Sequence, residues 1–186
     1  MSKTATFHQL IVHPAQFIKT STQHPALWLS ITAIAASAAT VLTEKNPYHF
    51  PAIPLYGFIL ISYIIILFLH SIMTDFFAQL FSLKANSYAL FRWFGISTLP
   101  IALNVPINTI AHTFPQFFFG ILHMASPILT LLCMYLQVLS IQSLYHCSLK
   151  KGIFLFLCPF LAVIALILAG FSLLTGIKLF TALPMI

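Results

Sequence analysis

The sequence predicts an all-α polytopic membrane protein: a bundle of five transmembrane helices preceded by a short interfacial helix. Of its 186 residues, 60% are apolar and only 5% are charged, whereas an ordinary soluble domain carries about 25% charged residues. The mean hydropathy is +1.02. So few polar side chains would not cover the surface of a soluble fold of this size. The composition therefore excludes a soluble enzyme, a disordered chain, a nucleic-acid-binding module and a disulfide scaffold.

The polar head, residues 1–24, contains one amphipathic segment. The stretch from 12 to 19 has Pro14 at the position where a helix would begin, which is where proline fits best. We expect Phe17 and Ile18 to face the membrane surface and Lys19 to face water. The head therefore predicts an interfacial helix.

The first span, roughly 25–42, is rich in alanine and serine. Small residues let helix backbones approach closely, so we expect this helix to lie inside the bundle. Pro100 and Pro106 predict a kink in the third span, since proline lacks the N–H that a helix requires. We expect one domain, a bundle formed by residues 25–176, followed by a short outer tail, residues 177–186. The remaining spans are expected at roughly 55–77, 93–110, 121–144 and 153–174.

Basic residues are distributed unevenly between alternate sides of the predicted spans. Such a bias sets orientation, because the side richer in lysine and arginine stays in the cytoplasm. We therefore expect a cytoplasmic N-terminus and an outer C-terminus. The short head fits a bacterial inner membrane, and an organelle membrane stays open. The head and the even-numbered loops hold Lys3, Lys19, Lys84, Arg92, Lys150 and Lys151, and the other side holds Lys45 and Lys178.

Asp75 is the most informative residue, because a carboxylate at the centre of a membrane helix costs roughly 2.5 to 3.5 kcal/mol. We expect it to face the bundle and to pair with Lys84 or Arg92, and a proton or substrate role is the alternative. His70 and Asp75 also have the His-x-x-x-x-Asp spacing of glycerolipid acyltransferases. In that chemistry the histidine takes a hydroxyl proton and the aspartate holds the imidazole. The ion pair is favoured, since no large domain is present to hold an acyl donor.

No cofactor or metal site is predicted. The histidines near the outer face lack the HxxH or HxxxH spacing that places two ligands on one helical face, and the cysteines lack a CxxC motif. Polar residues within the third and fourth spans either line a pathway or form interhelical hydrogen bonds. The histidines are His49, His112 and His123; the cysteines are Cys133, Cys147 and Cys158; the polar residues are Asn104, Asn108, Gln137, Ser140, Gln142 and Ser143.

Four short stretches follow one another in a recognisable order. They are His13–Phe17 in the head, Leu80–Tyr88 after the second span, Phe91–Pro100 in the third span and Tyr145–Gly152 after the fourth. In this order they resemble the Yip-one domain family, the Ypt/Rab-interacting five-helix membrane proteins, which have bacterial relatives. The resemblance covers nearly the whole chain, from about 12 to 174.

The matching positions are few. Lys84 matches the lysine of a Gly-Gly-Lys-Gly-like loop, Pro100 the proline of the third span, and His146 the histidine of a His-Gly-x-Ser/Thr-like turn. The chain departs from the pattern at Leu83, Ala85 and Asn86, where glycines are common in the loop. It departs again at Cys147, which replaces the glycine of the turn. The resemblance implies a cytoplasmic head and a five-span bundle. For eukaryotic members it implies contact with prenylated Rab-type GTPases, and for bacterial members it implies no settled activity.

We therefore expect a non-catalytic interaction or membrane-organising protein, whose partners are the lipid bilayer and other membrane proteins, with a GTPase implied only by the resemblance. No nucleic acid is expected, and a homo-oligomer is compatible with the sequence. One alternative is a small transporter or lipid-handling protein with a polar site around Asp75 and Arg92, although five spans do not divide into two equal inverted repeats. The other is an intramembrane enzyme that uses His70 and Asp75. The candidate binding residues are Asp75, Lys84, Arg92, Pro100 and His146.

Overall fold

The computed structural model describes residues 25–40, 52–84 and 86–182, and within these ranges the secondary structure is helical without strands. The predicted all-α class is confirmed. The expected head, 1–24, lies outside the described residues, as does its interfacial helix. The helices, in chain order, are α1 (Leu27–Ala38), α2 (Ala52–Leu80), α3 (Ser87–Ser97), α4 (Leu99–Ala102), α5 (Asn104–Thr113), α6 (Pro115–Tyr145) and α7 (Leu149–Ala182).

Four apolar segments of the described chain are long enough to cross a membrane: α2, the α3–α5 segment as far as Ala111, α6 and α7. The expectation of five such helices is corrected to four. The first helix, α1, has 12 residues, which at 1.5 Å per residue reach about 18 Å, short of the hydrocarbon layer of about 30 Å. The chain is a multi-pass integral membrane protein, and its described residues include one shorter apolar helix besides the four spans.

The third span is interrupted twice. Thr98 and Leu103 are turn residues between helical segments. The ring nitrogens of Pro100 and Pro106 have no hydrogen to donate to the carbonyls four residues earlier. The backbone tightens instead, with the Thr98 N–H donating to the Gly95 oxygen at 3.2 Å and the Leu103 N–H to the Pro100 oxygen at 3.1 Å. The predicted kink is therefore present as two short breaks.

The third helix, α3, packs against α1, α2 and α6, and α7 packs against α2 and α6. At the crossing with α1, a Cβ added to Gly95 would stand 2.7 Å from the Ser30 Cβ. Only small residues permit such an approach, so one face of α1 packs closely against α3, while Trp28 and Ile31 on its other side are exposed. The buried residues of α1 are Ser30, Ala33, Ile34, Ser37 and Ala38.

The outer surfaces of α2 and α7 are apolar. Ile53 on α2 is 84% exposed and Leu166 on α7 is 71% exposed, and the exposed apolar side chains continue around the second half of α7. A soluble protein rarely shows an apolar surface of this extent, but lipid tails solvate it. The last helix continues to Ala182, through most of the stretch expected to be an outer tail.

Candidate functional site

The buried carboxyl group of Asp75 connects two helices near one end of the bundle. Asp75 is in the last two turns of α2 and is only 7% exposed. The Tyr145 hydroxyl, at the last residue of α6, donates to Asp75 Oδ1 at 2.7 Å. Gln79 Nε2, one turn further along α2, donates to Asp75 Oδ2 at 3.3 Å. Both carboxyl oxygens therefore accept a hydrogen bond from within the chain.

The prediction that Asp75 forms an ion pair with Lys84 or Arg92 is wrong. The main-chain oxygen of Arg92 in α3 accepts a hydrogen bond from Ser30 Oγ of α1 at 2.7 Å. The Arg92 guanidinium carbon is 4.9 Å from the centre of the Tyr88 ring, one turn earlier in α3. Lys84 is exposed in the turn between α2 and α3. The carboxyl group thus accepts hydrogen bonds from two neutral donors, and no described lysine or arginine forms an ion pair with it.

Positive charge collects at the end of the bundle where the α2–α3 and α6–α7 turns lie, which we call the basic end (Lys84, Arg92, Lys150 and Lys151). Lys84 and Lys150 are exposed, and Lys151 is half-buried. The Lys151 ammonium is 5.5 Å from the centre of the Phe81 ring, a cation–π contact that joins α7 to the α2–α3 turn. Asp75 is the one acidic residue in the described ranges, and it is buried. The exposed lysines are therefore left without a described carboxyl partner.

Pro100 positions a group of hydroxyls around the first break in the third span. Ser37 Oγ of α1 is 2.8 Å from the main-chain oxygen of Thr98 and 3.0 Å from its side-chain oxygen. Ser97 Oγ is 3.3 Å from Ser140 Oγ on α6. These contacts support the interpretation of the polar residues as interhelical hydrogen bonds. Asn104 and Gln137, also predicted to be polar residues of the spans, are buried.

His70 and Asp75, the pair on which the alternative enzyme interpretation depends, have different neighbours. The His70 ring packs among three phenylalanine rings, with centroid distances of 5.3 Å to Phe94, 5.2 Å to Phe156 and 4.8 Å to Phe160. Its Nε2 atom is buried with no hydrogen-bond partner in the described part of the chain. Five residues along a helix turn two side chains well apart, since four residues already exceed one turn.

His146, a candidate binding residue, ends α6 in the left-handed conformation, with φ 49° and ψ 41°. The N–H of Cys147 donates back to the Gln142 oxygen at 3.3 Å, as in a Schellman turn. Ser82 adopts a similar conformation after α2, with φ 59°. The residue in the conformation that favours glycine is therefore Ser82 after α2 and His146 after α6. In the second turn this is one residue before Cys147, where the family resemblance places the glycine.

Within the described residues no group of three His, Cys, Asp or Glu side chains is placed to hold a metal ion. His49 and the side chains of His112 and His123 lie outside the described part of the structure. The cysteines are free thiols in this chain. These observations add no metal or cofactor to the polar residues already described.

Two hydrogen-bond donors, Tyr145 and Gln79, were missed by the sequence reasoning. Tyr145 begins the stretch Tyr145–Gly152, directly before the basic turn, and the hydroxyl of a buried tyrosine usually finds a hydrogen-bond partner. Gln79 is four residues after Asp75, the spacing at which helical side chains meet. Both signals are visible in the sequence once Asp75 is placed in the last turns of α2.

Comparisons with family models, with curated proteins and with solved structures found no match to this chain. The resemblance to the Yip-one family is therefore tested by none of them and stays a prediction.

Proposed function

We propose that this multi-pass protein is a non-catalytic interaction or membrane-organising protein, of Yip-one type by resemblance, and that the basic end is its contact surface. One observation carries the proposal. Asp75 is buried and receives hydrogen bonds from Tyr145 and Gln79, so it does not neutralise the exposed Lys84 and Lys150. Since no carboxyl group of the described residues neutralises this charge, we infer that it attracts a partner outside the chain.

The buried hydroxyls support the same proposal because they connect helices. Ser30 donates to a carbonyl of α3, Ser37 contacts Thr98, and Ser97 contacts Ser140. Hydrogen bonds of this kind help to fix how membrane helices pack. The bundle interior thus acts as a scaffold that holds the basic end in place.

Charge complementarity defines the class of partner. An exposed lysine pair at the membrane border attracts an acidic surface and steers its approach. We infer that the partner is a membrane protein, or a membrane-anchored one, with an acidic face. A GTPase is one such partner, and only the family resemblance supports that choice.

The experiment is site-specific photo-crosslinking in native membranes. A photoreactive amino acid replaces Lys150, and the captured material is identified by mass spectrometry. The matched control places the same probe at Leu173, an exposed residue in the second half of α7, towards the opposite end of that helix from Leu149. We expect a reproducible protein partner from position 150 only, and its loss when Lys84→Glu and Lys151→Glu are added. Capture of nothing but lipid and further copies of the chain would overturn the proposal.

A second candidate, a small transporter or lipid-handling protein, is favoured by the two breaks in the third span. Broken helices with free backbone groups form substrate sites in transporters. Asn104 and Ser140 are buried beside these breaks. Cysteine substitutions there, in a chain otherwise free of cysteine, separate the two candidates. Reaction with a water-soluble thiol reagent would show an aqueous path and favour transport, and protection would favour the scaffold.

A further inference from the structure

We propose that His70 and Thr74 together hold one water molecule in the apolar interior of the bundle. His70 Nε2 and Thr74 Oγ1 are both buried, and neither has a hydrogen-bond partner among the described residues. Both residues are on α2, four positions apart, so their side chains share one face of the helix. Thr74 is fully buried. The site goes beyond the proposed function, which uses neither residue.

Thr74 differs from the other buried hydroxyls on these helices. Serine and threonine within helices commonly donate to the carbonyl four residues earlier. Ser71 does so, to the Leu67 oxygen at 2.7 Å, and Ser140 does so, to the Leu136 oxygen at 2.8 Å. Thr74 Oγ1 has no such bond in the described structure. Its hydroxyl therefore remains available for a bond to something other than its own backbone.

The spacing of the two residues along the helix is compatible with a single bridging water. Residues four apart on a helix have Cβ atoms about 5–6 Å apart. A water that makes two hydrogen bonds of about 2.8 Å joins polar atoms roughly 4.5 to 5.5 Å apart. Buried waters typically bridge polar groups that lack a protein partner. A water here would satisfy the imidazole nitrogen and the hydroxyl at once.

The surroundings leave few other partners. The His70 ring is packed against Phe94 of α3 and against Phe156 and Phe160 of α7, and aromatic rings are weak hydrogen-bond acceptors. His70 is ten residues before Leu80, the last residue of α2, or about 15 Å along the helix at 1.5 Å per residue. The water would thus lie near the middle of a hydrocarbon layer of about 30 Å.

The test is a double-mutant cycle on the unfolding equilibrium of the full chain in one detergent. The variants are Thr74→Val, His70→Phe and the two combined. If a water bridges the two side chains, each single variant should lower the folding equilibrium constant. The fold-change in the double variant should then be at least fivefold smaller than the product of the two single fold-changes. The control is Ser71→Ala, whose hydroxyl already has a partner in Leu67. Combined with His70→Phe, it should give independent effects.

A dry site gives the opposite result. If the Thr74 hydroxyl has no water partner, Thr74→Val is neutral or stabilising and its effect is independent of His70→Phe. That result would overturn the proposal. Should a variant fail to fold, water-edited solid-state NMR on the histidine-labelled wild-type protein in lipid decides the matter. A water cross-peak to the His70 ring supports the site, and its absence overturns the proposal.

Discussion

The hydroxyl of Tyr145 donates a 2.7 Å hydrogen bond to the carboxyl group of Asp75, across 70 positions of sequence. The two residues belong to α6 and α2, and both are less than 10% exposed. Each would be costly to bury alone, because an unsatisfied buried polar group loses its hydration without compensation. The bond therefore ties together two helices at the end of the bundle that carries the exposed lysines.

Tyr145→Phe should destabilise the protein by about 1–3 kcal/mol, because it leaves a buried carboxyl oxygen without its donor. Asp75→Leu should cost a similar amount, since it strands the tyrosine hydroxyl. The double variant should cost clearly less than the sum, with a coupling of about 0.5–3 kcal/mol. Unfolding in detergent measures all three. Additive effects would show that the hydrogen bond contributes nothing to stability.

Asp75→Asn separates a structural role from a chemical one. The asparagine keeps an oxygen that accepts from Tyr145, so we expect a small loss of stability or abundance and unchanged crosslinking from position 150 per folded molecule. The measurement is the crosslinking yield divided by the amount of folded protein. A complete loss of partner capture by folded Asp75→Asn protein would contradict the scaffold role of this residue.

Gly95→Ala should destabilise the bundle by about 1–3 kcal/mol, as other overpacked sites do. The added Cβ would lie 2.7 Å from the Ser30 Cβ and 3.2 Å from its Cα, and a backbone atom does not move aside cheaply. Ser30→Gly should restore part of the loss by removing the nearer atom. Gly170→Ala on α7 is the matched control, because no described atom lies within 4 Å of its added Cβ. Unfolding in detergent compares the variants, and equal effects at both glycines would contradict the close crossing.

His146→Gly should stabilise the protein by about 1 kcal/mol, since a residue with a Cβ is strained in the left-handed conformation that His146 adopts. Lys150→Gly is the opposite control. It introduces glycine into the regular first turn of α7, where glycine is unfavourable by up to about 1 kcal/mol. Melting temperatures give the signs. Loss of partner capture in stable His146→Gly protein would instead assign the imidazole to the contact surface.

The sequence predicts the apolar helices and the burial of Asp75 well, because membrane insertion depends on length and hydropathy. It also predicts the break at Pro100, which follows from a missing N–H. It does not predict which neighbour Asp75 contacts. Lipid-facing and bundle-facing sides are both apolar, so the pattern does not fix how α3 and α6 rotate about their axes. In the structure the Tyr145 hydroxyl meets Asp75 of α2, and the Arg92 guanidinium lies against the Tyr88 ring instead.

Cys147 should react slowly with maleimide at neutral pH. Burial raises the pKa of its thiol and outweighs the opposite influences of its backbone hydrogen bond and the nearby Lys151 ammonium, and only the thiolate is the nucleophile. A raised pKa lowers the thiolate fraction at any pH below it, so the rate should rise about tenfold per pH unit through the neutral range and level off only at a more alkaline pH than for an ordinary cysteine.

The measurement is a rate–pH profile of Cys133→Ala/Cys158→Ala protein, folded and unfolded. Lys151→Gln should move the folded profile further towards high pH, because it removes the charge that favours the thiolate. Coincident folded and unfolded profiles would show that the half-buried position of Cys147 after α6 does not affect its thiol.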